Sequence, residues 1–131
     1  MQGKIRRLVF LSIIVLTIGV LGGCDLIFPV ITVGEIAWAT DAQVYRGMNY
    51  TRYVYTLPAG GIADDVWGTD TYTDDSSIGT AAVHAGLITF ADGGTVTIRI
   101  LPGRSQYTGN TRNGVTSIDW GEWDGSFEFV K

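Results

Sequence analysis

The sequence predicts an α+β domain in which short strands wrap one helix, and three observations carry that expectation. Ile78, Ala81, Ala82 and Ala85 recur at the spacing of one helical face, inside a segment, 72–86, with capping residues at both ends. Tyr53, Tyr55 and Leu57, and later Val96, Ile98 and Ile100, recur at every second position, the period of a half-buried strand. Glycine-rich turns separate these runs.

The chain opens with Lys4, Arg6 and Arg7, an apolar run over 8–20, and then Leu21-Gly22-Gly23-Cys24. A basic start, a short apolar stretch and small residues before a cut site predict a signal peptide over 1–23. Leu-Gly-Gly-Cys resembles a bacterial lipobox, so Cys24 is expected to be lipidated on sulfur and to become the new N-terminus. The alternative is an uncleaved anchor. The 17 residues from Leu8 to Cys24 sit at the lower edge of the roughly 17–25 that span a bilayer. Both readings place the rest of the chain outside the cytoplasm, in a bacterial cell envelope.

Cleavage would leave 108 residues, enough for one small domain. All 13 acidic residues but only six of the nine basic ones lie in that part, a net charge of −7. This balance excludes nucleic acid as a partner and disfavours anionic lipid headgroups. With Cys24 lipidated no cysteine pair remains, so the exported domain must hold together by packing.

Taken in order, 24–44 reads as a tether plus an N-terminal strand, placed at 35–39, with Trp38 expected to be buried against the domain of 45–131. Thr51 to Leu57 reads as a strand ended by Pro58-Ala59-Gly60-Gly61. In the helix segment, Asp74, Asp75, Ser76 and Ser77 are expected to serve the free N–H groups of the first turn, and Gly86 to end the helix in the left-handed conformation. A helix of about ten residues is marginal alone in water, and its small alanines predict close packing. The apolar run 87–90, the Asp92-Gly93-Gly94 turn and the strand 95–101 predict a hairpin. After a turn-rich section with Tyr107 and Asn113-Gly114, 117–120 and 126–130 predict a last hairpin.

With these residues set out, a resemblance is visible. Val66-Trp67-Gly68-Thr69, then Tyr72-Thr73-Asp74-Asp75-Ser76-Ser77-Ile78, then Ala81-Ala82-Val83-His84-Ala85-Gly86 resembles the signature of the LCCL domain, continued by Gly93-Gly94, Tyr107, Asn113-Gly114-Val115 and Ser117. It spans roughly 48–130 and matches the single-domain form found in bacterial exported proteins. The resemblance implies a central helix wrapped by two antiparallel sheets, with Trp67, Tyr72, Asp75, Ser76, Ala81, Ala82, His84, Gly86, Tyr107, Asn113 and Gly114 as structural signature. It also implies cysteines where this chain has Leu57, Gly61 and Gly79. A disulfide typically contributes ~2–4 kcal/mol, so segment 26–39 is the expected compensation.

No catalytic constellation, cofactor motif or cysteine–histidine zinc pattern is present. His84 is the only histidine and reads as packed and hydrogen-bonded rather than catalytic. Asp64, Asp65, Asp70, Asp74 and Asp75 do not follow the calcium-loop spacing. For ligand contact the sequence offers Arg99, Arg104 and Arg112 as a basic patch, with Trp120 and Trp123 in a glycine-rich turn. The expected function is a non-enzymatic, lipid-anchored binding module for a glycan or lipopolysaccharide. The alternatives are a protein–protein module of an envelope complex and, more remotely, a hydrolase.

Overall fold

The computed structural model describes residues 28–131. The predicted signal peptide, Cys24 and Asp25 lie outside these residues. The elements run β1 (Val30–Glu35), a 3-10 turn (Gln43–Tyr45), β2 (Arg52–Leu57), β3 (Gly68–Thr69), β4 (Thr71–Thr73), α1 (Ile78–His84), β5 (Gly94–Arg104), β6 (Thr111–Arg112), β7 (Val115–Thr116) and β8 (Trp123–Phe129). Six strands form one sheet in the order β1-β2-β5-β8-β4-β3, and β6 and β7 form a separate ribbon.

The sheet is built on β5, the longest strand. Val96, Ile98 and Ile100 face inward as the alternation predicts, opposite Tyr55 and Tyr53 of β2 and Phe129 and Phe127 of β8. Tyr72 of β4 adds a fifth aromatic ring, tilted against Phe127 at 5.7 Å. Against this face lies α1, every residue of which is buried. Ala81 and Ala82 leave no side-chain bulk to hold the helix away, so it seats close to the sheet.

The helix is shorter than 72–86 because its two flanks do other work. Residues 71–73 pair with β8 as β4. Asp74 and Asp75 precede the helix and do not cap it; the N-cap is Ser77, whose Oγ accepts from the Thr80 N–H at 3.1 Å. At the other end Gly86 has φ 82°, with its N–H donating to Val83 O and the Leu87 N–H donating to Ala82 O. That pair of bonds is a Schellman closure, as glycine after the last turn implies.

Three expectations change. The N-terminal strand covers Val30–Glu35 rather than 35–39, and it joins β2 in parallel, which makes the large sheet mixed. It joins the same sheet as the strands of 45–131. Residues 87–90 form no strand: Thr89 bridges only Gly93, and β5 takes β2 as its partner because that pairing buries the face of Ile98. Residues 117–120 do not pair with β8, which lies between β5 and β4; Ile118 bridges Trp67 and Trp120 bridges Tyr107.

The buried tyrosines predict an alkaline limit. Burial pushes the Tyr72 hydroxyl from 10 up to about 12, against a smaller lowering by a hydrogen bond with the Asp70 backbone, and burial pushes Tyr55 up as well. A phenol held neutral in the fold but ionised in the open chain makes the unfolded state bind fewer protons, so stability falls as pH rises. The loss begins near pH 10 and continues towards about 12, and for Tyr72 it amounts to ~3 kcal/mol. A thermal midpoint by circular dichroism should be flat between pH 7 and 9 and drop steeply above 10; a midpoint unchanged to pH 12 would refute this.

Candidate functional site

The signature residues form a hydrogen-bonded scaffold. His84 is fully buried on α1, with Nδ1 2.9 Å from the Tyr72 hydroxyl and Nε2 2.8 Å from Asn110 Oδ1. Carbonyl oxygens only accept, so Nε2 carries the proton and Nδ1 accepts from Tyr72. Asn113 Nδ2 donates to the His84 carbonyl at 2.9 Å, serving an open oxygen of the last helical turn. Asn113 (φ 52°) and Gly114 (φ 77°) form the turn of the β6–β7 ribbon, where both residues need positive φ. The Trp67 N–H donates to Ser76 Oγ at 3.0 Å. Tyr107 is buried, its hydroxyl accepting from the Arg104 N–H and donating to Trp123 O.

The predicted basic patch divides. The Arg99 guanidinium meets Glu128 at 2.9 Å across β5 and β8, and Arg112 meets Asp70 at 2.8 Å. Arg104 pairs with no carboxylate among the described residues. Its side chain lines a groove of about 310 Å3 with Thr69, Thr71, Gln106, Thr108 and Asn110. Asn110 is held in that wall by His84 and by the Thr69 hydroxyl, which donates to Oδ1 at 3.1 Å. Both bonds fall on Oδ1, leaving the amide N–H groups of Asn110 for a ligand.

The predicted aromatic pair divides too. Trp120 is 47% exposed and lines a second, more open groove with Ser105, Asp119 and Gly121, which shares Gln106, Tyr107 and Thr108 with the first. Trp123 is half-buried and structural: its Nε1 donates to Asp74 Oδ1 at 2.8 Å, and Arg46 lies over its ring at 5.3 Å. Among the described residues, no group of three or more histidine, cysteine or acidic side chains is placed to hold a metal. Gln106, Thr108 and Asn110 join the site by tertiary placement alone. The one sequence cue was that a lone histidine on a buried helix needs a polar partner from another part of the chain.

Comparison with known proteins agrees with this scaffold. The family model described as LCCL domain matches residues 38–127. Over 62 residues, 47% of this chain and 9% of the relative, it is 42% identical to Vitrin from Homo sapiens. It is 45% identical over 56 residues to Cysteine-rich secretory protein LCCL domain-containing 2 from Homo sapiens, covering 43% of this chain and 11% of that protein. It is 40% identical over 76 residues to Cochlin from Cavia porcellus, covering 56% and 14%. The chain thus spans about a tenth of the length of these curated relatives. The matched region contains α1, its caps, the His84 network and the Arg104 groove, and the chain belongs to the LCCL domain family.

Proposed function

We propose that this protein is a non-enzymatic, extracytoplasmic binding module, tethered by lipid on Cys24, whose ligand is a glycan bearing acidic or phosphate groups, as in lipopolysaccharide. The observation that carries the reading is Arg104: a guanidinium without an ion-pair partner among the described residues, lining a groove whose other side chains are hydroxyls, amides and the Tyr107 phenol. A free guanidinium can grip a phosphate or carboxylate with two parallel bonds, and hydroxyl and amide walls match sugar hydroxyls. In the adjoining groove, which shares Gln106, Tyr107 and Thr108, exposed Trp120 offers a ring for stacking on a sugar. The placement outside the cytoplasm is supported by the basic-apolar-lipobox leader, and one relative is itself named a secretory protein.

A glycan array probed with the purified domain tests the reading. Arg104→Ala and Trp120→Ala are each expected to lower retention of an acidic glycan about tenfold, equivalent to ~1.4 kcal/mol. Wild-type signal at background, or full retention by Arg104→Ala, would refute it. The intact mass of the membrane-extracted protein reports the anchor, and an unmodified chain starting at Met1 would refute that part alone.

A further inference from the structure

We propose that the end of the sheet carrying Phe28, Met48 and Tyr50 is a membrane-docking surface, laid on the bilayer to which the chain is attached at residue 24. β1 and β2 are parallel, so both start at the same end of the sheet, with Val30 opposite Arg52. Two residues before that pair, the rings of Phe28 and Tyr50 meet edge to face at 5.5 Å, and both are exposed. Exposed Met48 lies in the turn that leads into β2, closed by the Thr51 N–H donating to Met48 O. The Arg52 side chain and backbone N–H donate to the Phe28 and Pro29 carbonyls, which ties the two strand starts together. Tyr50 has φ 71°, a left-handed conformation that bulky residues rarely adopt, and its N–H is held by Ile100 O at 2.6 Å. A strained backbone that keeps a large ring exposed points to a use for the ring.

Chain length identifies the occupant. The inference rests on attachment at Cys24, by lipid as in the reading above or by an apolar segment ending there. The four residue steps from Cys24 to Phe28 reach at most ~14 Å, at about 3.3–3.6 Å each. The headgroup layer takes up ~5–8 Å of that, and a domain of this size has a radius of gyration of about 13 Å. The tether is too short for the domain to leave the surface, and the end at which the chain enters the fold lies against the bilayer. Leu26 and Ile27, within the tether, are apolar, where a spacer held in water would be polar. Charge agrees: segments 26–34 and 42–63 contain no acidic residue, although the chain from Cys24 onward carries a net −7. Aromatic rings suit the boundary between headgroups and acyl chains, so the docking is apolar and needs no anionic lipid.

The test places the full-length protein, purified from membranes, in phosphatidylcholine nanodiscs and observes methionine and isoleucine methyl groups by NMR. Met48 is the only methionine after Met1, and exposed Ile62, past the far end of β2, is the reference. With the two methyls ~20 Å apart by strand rise, an acyl-chain nitroxide should broaden the Met48 signal about fivefold more than the Ile62 signal. Phe28→Ser/Tyr50→Ser should lower that ratio by about half or more while retaining a native thermal transition. Should that variant fail to fold, the wild-type ratio alone decides. Equal broadening at both positions, or broadening of Met48 by a headgroup nitroxide and not by the acyl-chain one, would overturn the proposal. So would a Met48 effect confined to discs holding two copies, which would assign the patch to a second copy of this chain. Intact mass separates this outcome from the anchor reading: an uncleaved, unlipidated chain with the Met48 effect refutes the lipid and leaves the docking surface standing, and a lipidated chain without the effect does the reverse. A chain that does not associate with the discs overturns both. The glycan reading is tested apart from this, since none of the three residues lines the Arg104 groove.

Discussion

Replacing Trp38 by alanine is expected to destabilise the domain by ~3 kcal/mol, the lower end for truncating a large aromatic because the ring is half-buried. For a domain of this size the thermal midpoint should fall by roughly 12–24 °C. The indole lies against both Gly61 and Gly79, so closely that a Cβ added at either glycine would overlap its ring. It packs on Phe90 with ring centroids 5.2 Å apart, and its Nε1 donates to Pro58 O at 2.9 Å. Its own carbonyl accepts from the helix-capping Ser77 hydroxyl at 2.6 Å. One residue therefore ties the N-terminal segment, the loop after β2 and the start of α1 together. Gly61 and Gly79 are two of the positions at which the LCCL resemblance implies cysteine, so a packed ring stands where the covalent staple would be.

A sign reversal checks this account. Helix propensity alone predicts that Gly79→Ala stabilises by up to ~1 kcal/mol. Overlap with the Trp38 ring instead makes it destabilising, since a helix seated on the sheet and a ring bonded at Nε1 have little room to yield. In the Trp38→Ala background only the terminal Leu57 Cδ1, at 3.0 Å and able to shift into the vacated space, is left close to the new methyl, and Gly79→Ala should become neutral or stabilising. Urea unfolding of the four proteins measures the cycle; additive effects would refute it.

Arg46→Met is expected to cost ~3 kcal/mol, because it leaves a buried charge without its counterion. Asp74 is fully buried and accepts from Arg46 Nε at 2.8 Å and Nη2 at 2.7 Å, with Trp123 Nε1 as a third donor at 2.8 Å. The bond to Asp74, opposed by partial burial, raises the Arg46 pKa. Backbone bonds place the carboxylate at a junction: the Asp74 N–H donates to Gly125 O, and the Ala42 N–H donates to Asp74 O. Adding Asp74→Asn should recover part of the loss, since a neutral amide at that position is cheaper to bury than an unpaired carboxylate. Equal midpoints in denaturant for wild type and Arg46→Met would contradict the account.

These two predictions show where sequence reading stops. The cap oxygen of Ser77, the glycine closure at Gly86, the alternation in β2 and β5 and the Asn113-Gly114 turn are local, each set by residues within a few positions, and each was legible. So was the packed role of His84, because a lone histidine without an acid–base partner offers little chemistry. Asp74 and Asp75 were misplaced for the same reason: they stand where caps stand, and only the fold brings Arg46 from 28 residues away and Trp123 from 49 to claim Asp74. Trp123 and Trp120 lie three residues apart in one glycine-rich turn, yet one is tied to a buried carboxylate and the other faces solvent.

By itself, then, the sequence determined the fold class, the helix with its caps, the inward faces of the main strands and the family, because these follow from short-range periodicity and backbone chemistry. The tertiary structure decided strand partners, the parallel placement of β1, which arginine of three has no carboxylate partner among the described residues, and what occupies the space beside Gly61 and Gly79. Those outcomes depend on which distant surfaces bury the most apolar area and which charges find counterions across the sheet, and no window of neighbouring residues contains that information.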